Sequence, residues 1–369
     1  MELFTYTCSA RTSLPSCFAG EQDVFFDIET TGLDWRRSHV YLIAAGIFRP
    51  DSGLFEITQW FADEPSREAD LLGAFAEFLK PFKRLIHYNG NGFDLPYLQR
   101  KYALHRFPSP LDSLDTLDLY QTFRPFRGLF RLSSLKLKVL ETFAGFQRKD
   151  TCNGAELIEI YHQYLAGADP GLLNILCLHN LEDITGLLHI LSLYGFPSLL
   201  HGSFRISEVQ TDSSCLIITV TPETGSLADI CFSGSLGTLR SDRRQMTLKI
   251  KGEQRELKYF YENYRDYYYL PLEDTAIHKS VGAYVDSAHR EKAKAANCYQ
   301  RRSGLFFPQP SEIITPAFRE SYRPKKLYFE QKDLLQKDPD LLKKYIVSVV
   351  SYFCTEAASL SDSSPSDRK

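Results

Sequence analysis

No stretch of this 369-residue chain approaches the run of about 20 apolar residues that a membrane-spanning helix needs, so no membrane partner is expected. The N-terminal MELFTYTCSARTSLPS lacks a basic region leading into an apolar core; it makes a poor signal peptide, and a cytoplasmic location is expected. Cys8, Cys17, Cys152, Cys177, Cys215, Cys231, Cys298 and Cys354 are scattered, with no C-x-x-C pair. Reduced thiols therefore explain them better than a disulfide framework or a zinc site. Neither sign of charge dominates, with 43 basic against 46 acidic residues, and no internal repeat is evident.

What is present suffices for two domains. Hydrophobic content is 43% and charged content 24%, ordinary values for a globular protein. The charge is unevenly spread: residues 1–200 carry 18 basic and 24 acidic side chains, and residues 201–369 carry 25 and 22. Between Lys279 and Lys326 there are 10 basic against 4 acidic residues, which turns an anionic partner toward the second half.

The most informative stretch is Val24-Phe25-Phe26-Asp27-Ile28-Glu29-Thr30-Thr31-Gly32-Leu33. On a strand, side chains alternate between faces, so Asp27 and Glu29 point the same way. Two acids on one face of a buried strand are costly unless something positive lies between them. A divalent cation with oxygen ligands, Mg2+ or Mn2+, fits that role. Two further strands, near 40–48 and 54–61, follow after short links that suit antiparallel neighbours. A helix is expected from Ser66 to Leu79, and a fourth strand from Arg84 to Tyr88.

The segment Asn89-Gly90-Asn91-Gly92-Phe93-Asp94-Leu95-Pro96 makes a turn tolerant of left-handed conformations and then opens a helix with Asp94 in its first turn. A strand near Leu114 to Leu119 and a helical, aromatic-rich region over 120–168 come next. The last element of this half is a leucine-rich helix from Gly171 to Tyr194. His179, Asp183 and Gly186 interrupt its apolar surface within about 60° of one another. Glu182 falls on the other side of His179, as a supporting or surface residue. His87 suits a satisfied core position, and Asp115 is a weaker functional candidate.

After Gly195-Phe196-Pro197 the texture becomes strand-like, with segments at 213–221, 245–250, 256–261 and 267–270. Helices are expected at 275–285, 288–298 and 331–353. The organisation is thus a domain over 1–200, a smaller α+β accessory domain over 201–355 with possible nucleic-acid contacts, and a disordered tail over 356–369. In the second domain the run Tyr259-Phe260-Tyr261 to Tyr267-Tyr268-Tyr269 suits either a β core or stacking on bases of a single strand. The basic residues Lys292, Lys294, Arg301 and Arg302 suit phosphate contacts.

Asp27, Glu29, Asp94 and Asp183 together form a four-acid set that cannot be fully ionised in one cleft without cations. Two magnesium or manganese ions are the usual solution for in-line phosphoryl displacement. The order Asp27-x-Glu29, Asn89-x-x-x-Phe93-Asp94-x-Pro96, His179-x-x-x-Asp183 resembles the DEDD (DnaQ-like) superfamily of 3′→5′ exonucleases, and within it bacterial ribonuclease H-like domain proteins. Ser134-Leu135 and its flanks look like the S-L-x-x-L region between the second and third motifs.

The resemblance covers about residues 20–195. It implies an α/β fold with a ribonuclease H-like mixed sheet flanked by helices, and a metal-dependent nuclease acting on DNA or RNA. A polymerase or helicase partner is a further expectation of that class. One departure stands out: one branch of the superfamily carries histidine five residues before the last aspartate, another carries tyrosine four before it. This chain puts His179 at the tyrosine spacing. It remains on the face of Asp183 and is expected to take the proton of the attacking water. The alternative is a catalytically weak ribonuclease H-like platform that binds nucleic acid or assembles with other proteins.

Overall fold

A computed structural model describes residues 1–9, 14–212, 214–324, 326–334 and 338–362. The chain divides into two compact units, residues 1–197 with 224–228, and residues 198–223 with 229–369.

The first unit is built on a six-stranded sheet. Its strands are β1 (Glu2–Ser9), β2 (Asp23–Thr30), β3 (Val40–Arg49), β4 (Leu54–Phe61), β5 (Arg84–His87) and β6 (Asp115–Asp118). The order is β1-β4-β3-β2-β5-β6. The first four pair antiparallel, β2, β3 and β4 through short links and β1 from a distance, while β2-β5 and β5-β6 are parallel. The helices are α1 (Glu68–Leu79), α2 (Asp94–Leu104), α3 (Leu119–Phe123), α4 (Leu137–Phe143), α5 (Gly154–Gly167) and α6 (Pro170–Ile190). This is the mixed sheet flanked by helices that the sequence led us to expect.

Strand alternation divides the work of β2. Val24, Phe26 and Ile28 enter a core with Leu71, Leu72 and Phe75 of α1 and Leu98 and Tyr102 of α2. Phe25, Asp27 and Glu29 face the other way, toward α6. There Gly46 of β3 permits close packing: a Cβ at that position would stand 2.8 Å from Ile184 of α6 and 2.2 Å from the Phe55 ring. The strand β1 was not anticipated. Its residues alternate half-buried and exposed, and its partner β4 lies some fifty residues away, so nothing local marks it.

The second unit is rich in β structure. A five-stranded antiparallel sheet contains β7 (Phe204–Thr211), β8 (Cys215–Pro222), β9 (Ile230–Gly234), β10 (Gly237–Ser241) and β11 (Met246–Lys251). A second sheet joins β12 (Glu253–Phe260), β16 (Tyr299–Gln309) and β17 (Leu327–Glu330), and a third joins β13 (Tyr267–Leu270), β14 (Thr275–His278) and β15 (Glu291–Lys292).

Two of the expected helices are therefore corrected. Residues 275–285 form β14 and a single turn, Lys279–Gly282, and residues 288–298 contain β15, because both segments pair with the tyrosine strand β13. The C-terminal helix Pro339–Asp362 carries helix through 356–362, where a disordered tail was expected. Residues 363–369, residues 335–337 of the expected 331–353 helix, and Ser213 at the start of an expected strand lie outside the described residues. The tyrosine run packs largely on itself. Tyr261 stacks on Tyr267 at 4.4 Å, and the Tyr269 hydroxyl donates to Asp274.

His87 is the core residue expected of it, but only one ring nitrogen is satisfied: the buried Nε2 has no hydrogen-bond partner among the described residues. It is buried, edge-on to Phe26, and its Nδ1 accepts the Gly90 N–H at 3.0 Å. Burial pushes its pKa down to about 4, against an opposing pull from Asp118. A lowered histidine pKa means the unfolded state binds the proton more readily, so His87 stabilises the fold fully above about 6.5 and loses this contribution as pH falls toward 4. We expect urea denaturation to show a steeper loss of stability between pH 7 and pH 5 in the parent than in His87→Phe. Equal slopes would contradict this account.

Candidate active site

The three motifs meet on the α6 side of β2. Asp27 and Glu29 project there from the strand. Asp94 opens α2 after a tight turn, in which Asn89 takes the left-handed conformation (φ 61°) and its N–H donates to Asp118 at 2.8 Å. Gly90 is needed for a different reason: a Cβ there would stand 2.7 Å from the His87 ring and 3.3 Å from the Asp94 carboxylate. Asp183 and His179 come from α6, one turn apart. All five residues sit together, and Asp27, Glu29 and Asp183 line a cleft of about 470 Å³ with Tyr88, Asn89, Tyr120 and the segment Ser134 to Leu137.

The electrostatics mark this as a place that needs positive charge. Burial, and then the charges of Asp183, Asp94 and Glu29, push the Asp27 carboxyl well above its ordinary range; a hydrogen bond from Asn180 only partly offsets them. Burial and the charges of Asp183, Asp94 and Asp150 do the same to Glu29. Asp94 is raised to about 7, chiefly by burial, with Asp183 and Asp118 adding to it. One donor atom each from Glu29, His179 and Asp183 lie within 4.8 Å of one another, a spacing that fits a divalent cation. The donor set, mostly carboxylate with one imidazole, suits Mg2+ or Mn2+.

Four residues that frame the site were not found by sequence reasoning. Asn180 donates to Asp27 at 2.9 Å and accepts from Gln59 at 3.0 Å. Gln59, Ala44 and Asp27 are directly paired neighbours across β4, β3 and β2, so Asn180 bridges the outer two over the small Ala44. Arg148 donates to both oxygens of the buried Glu141 at 2.6 and 2.7 Å, and to Asp183 Oδ1 at 2.5 Å. Asp150 accepts from His179 Nδ1 at 2.7 Å and from Lys138 at 3.0 Å.

Arg148 and Asp150 lie in a loop without periodicity, so no pattern points to them. Asn180 did leave a trace, in the polar run His179-Asn180 and Glu182-Asp183 within a leucine-rich helix. Glu182, expected as a supporting or surface residue, is buried and accepts the backbone N–H groups of Lys149 and Asp150. It holds the loop that carries both Arg148 and Asp150. Asp115 is exposed on β6 and does not line the cleft.

Residues 24–194 match the RNase_H_2 family model, described as RNase_H superfamily. This segment carries a ribonuclease H-like fold. A search of curated proteins finds the "Uncharacterized protein YprB" of Bacillus subtilis (strain 168), 27% identical over 176 residues. The match takes in 46% of this chain and 40% of that protein, so the chain spans well under two thirds of its curated relative.

Among solved structures, a family B DNA polymerase from Pyrobaculum calidifontis aligns at 14% identity and TM-score 0.38, over 91% of this chain and 46% of that one. An apo Exonuclease I aligns at 14% identity and TM-score 0.29, over 53% and 56%. The Exonuclease I of Methylocaldum szegediense aligns at 14% identity and TM-score 0.30, over 54% of each. Among the described residues no helix is long and apolar enough to cross a membrane.

Gly186 belongs to the same polar stripe because Glu141 occupies its side-chain space: an added Cβ would stand 1.6 Å from Glu141 Oε1. Gly186→Ala must therefore displace the Glu141–Arg148 pair. Breaking a buried ion pair costs about 3–5 kcal/mol, whereas alanine gains about 1 kcal/mol over glycine in a helix. The variant is expected to lose about 2–4 kcal/mol in urea denaturation, the difference of those two effects. Unchanged stability would mean that Glu141 moves aside freely.

Proposed function

We propose that the protein is a metal-dependent nuclease, a 3′→5′ exonuclease that hydrolyses terminal phosphodiesters of DNA or RNA by a two-metal mechanism. The observation that carries this reading is the gathering of Asp27, Glu29, Asp94 and Asp183 from three separate elements: three of them line one cleft, and burial and the charges of Asp183 and Asp94 raise the Asp27 and Glu29 carboxyls above their ordinary range. Such crowding destabilises a fold unless a ligand relieves it, and a pair of divalent ions would do so. The 3′→5′ polarity rests on the resemblance of the three motifs to the DEDD exonucleases.

When bound, the ions supply an activated water and stabilise the leaving oxygen. The chain's own residues prepare that site. Asn180 fixes one oxygen of Asp27, Arg148 fixes one oxygen of Asp183, and Asp150 fixes His179. The cleft has room for a chain end. Tyr88 and Tyr120, edge to face at 5.8 Å, offer aromatic surface to a base, and the exposed Lys136 offers charge to a phosphate. The Tyr88 hydroxyl donates to the Leu135 carbonyl at 2.6 Å, tying this wall to the segment that resembles the S-L-x-x-L region. The second unit, with its basic stretch, is proposed as an accessory grip on nucleic acid.

End-labelled single- and double-stranded DNA and RNA should be shortened from the 3′ end in the presence of Mg2+ or Mn2+, and not in EDTA. Asp27→Ala and Asp183→Asn should each lose at least about 100-fold of that activity, the scale of removing a main source of charge stabilisation. Digestion that survives in Asp27→Ala would sink the proposal. Tight nucleic-acid binding without digestion by the parent would favour the non-catalytic platform.

A further inference from the structure

We propose that His179 is a direct ligand of a bound metal ion, together with Glu29 and Asp183, and that the site therefore prefers Mn2+ to Mg2+. The inference rests on the metal-dependent reading above and replaces the proton-acceptor role that the spacing of His179 suggested. Both cannot hold at once, since Nε2 has one lone pair.

The imidazole is oriented from behind. Its Nδ1 lies 2.7 Å from Oδ2 of Asp150, a carboxylate that is 2% exposed. Asp150 is itself held by Lys138 Nζ at 3.0 Å and by the Cys152 N–H at 3.0 Å. The loop before it is anchored by Glu182, which accepts the N–H groups of Lys149 and Asp150. With Lys138 Nζ and the Cys152 N–H both donating to it, the Asp150 carboxylate serves as the acceptor toward the ring. Nδ1 then carries the hydrogen, and in the neutral ring the lone pair lies on Nε2. A carboxylate behind the far nitrogen is the arrangement that metal-bound histidines recurrently use.

The front of the ring faces donors, not open water. Nε2 lies 3.3 Å from Asp183 Oδ2 and 3.5 Å from Glu29 Oε1. Three lone pairs at such distances repel unless a cation stands among them. Donors about 2.1 Å from a shared ion stand about 3.0–3.4 Å apart for bond angles of about 90–110°, so the Asp183 contact falls within that spacing and the Glu29 contact just beyond it. The other oxygen of Asp183 is taken by Arg148, which leaves Oδ2 as the free donor. Glu29 and Asp183 line the cleft, whereas among its described lining residues His179 is absent. A proton acceptor would need to meet the attacking water there; a ligand need not. Imidazole nitrogen suits a transition metal better than Mg2+, which holds to oxygen ligands and its own waters.

The test uses the full chain, stripped with EDTA and titrated with Mn2+ or Mg2+ alone. Calorimetry is expected to give a Kd for Mn2+ at least about tenfold below that for Mg2+, and pulsed EPR of the Mn2+ form a nitrogen coupling that His179→Ala abolishes. Asp150→Ala, which removes only the orienting partner, should weaken Mn2+ by about 10–100-fold. A parent protein without nitrogen coupling, or a folded His179→Ala that binds Mn2+ as tightly as the parent, would overturn the inference; the short contacts would then be those of a protonated imidazole between carboxylates. If either variant fails to fold, the coupling in the parent decides alone. The same preparations assayed on labelled oligonucleotides keep the two proposals apart. Nitrogen-coupled Mn2+ without digestion removes the nuclease reading and leaves the ligand, and digestion without coupling does the reverse.

Discussion

The first unit is arranged around a crowding of like charge that its own packing enforces. Asp27 and Glu29 sit on a central strand whose opposite face is locked into the α1 and α2 core by Val24, Phe26 and Ile28. They cannot turn away, because a strand that slips by one residue would exchange its core face for its acidic one. The helix α6 then presses Asp183 and His179 against the same face, at a depth that Gly46 permits. The stability of the core is what holds the acids together, and this is how a fold stores an unfavourable field for use by a ligand.

Positive charge from the protein reaches only the edges of that field. Arg148 joins Glu141 and Asp183, and Lys138 joins Asp150. None of the described cations pairs with Asp27 or Asp94. The neighbour that reaches Asp27 is the neutral amide of Asn180, which orients the carboxylate without cancelling its charge. Asp27 and Asp94 are thus left without a cationic partner among the described residues, while Asp183 and Asp150 are held by salt bridges. Arg148, Asp150 and Glu182 act as one clamp: Glu182 holds the loop by its backbone, and the loop delivers a guanidinium to Asp183 and a carboxylate to His179.

The second unit follows a different logic. Its two three-stranded sheets pack aromatic residues against one another, and several of its basic side chains are engaged internally. Arg301 reaches Glu256, Arg302 reaches Glu330, and Lys258 sits 3.9 Å over the Tyr299 ring. The stretch from Lys279 to Lys326 that looked like a phosphate-contacting face is thus in part an internal network. Its residual excess of positive charge is the feature that supports a role toward an anionic partner.

The placement of the candidate site residues was legible in the sequence because it depends on local rules. Strand alternation placed Asp27 and Glu29 on one face, the asparagine-glycine turn placed Asp94 at the head of α2, and helical spacing placed His179 beside Asp183. The residue types themselves led to the expectation of a cation. Tertiary structure decided what no local rule reaches. It paired β1 with a strand about fifty residues distant, turned the segments after β13 into strands by offering them a ladder, and set Asn180 over Ala44. It also brought a patternless loop under Glu182, so that Arg148 and Asp150 could reach α6. The surroundings of His179 belong to this second group. Spacing along a helix gives the direction of a side chain, but only the packed partners on both sides of the ring determine which nitrogen carries the hydrogen and what the other one faces.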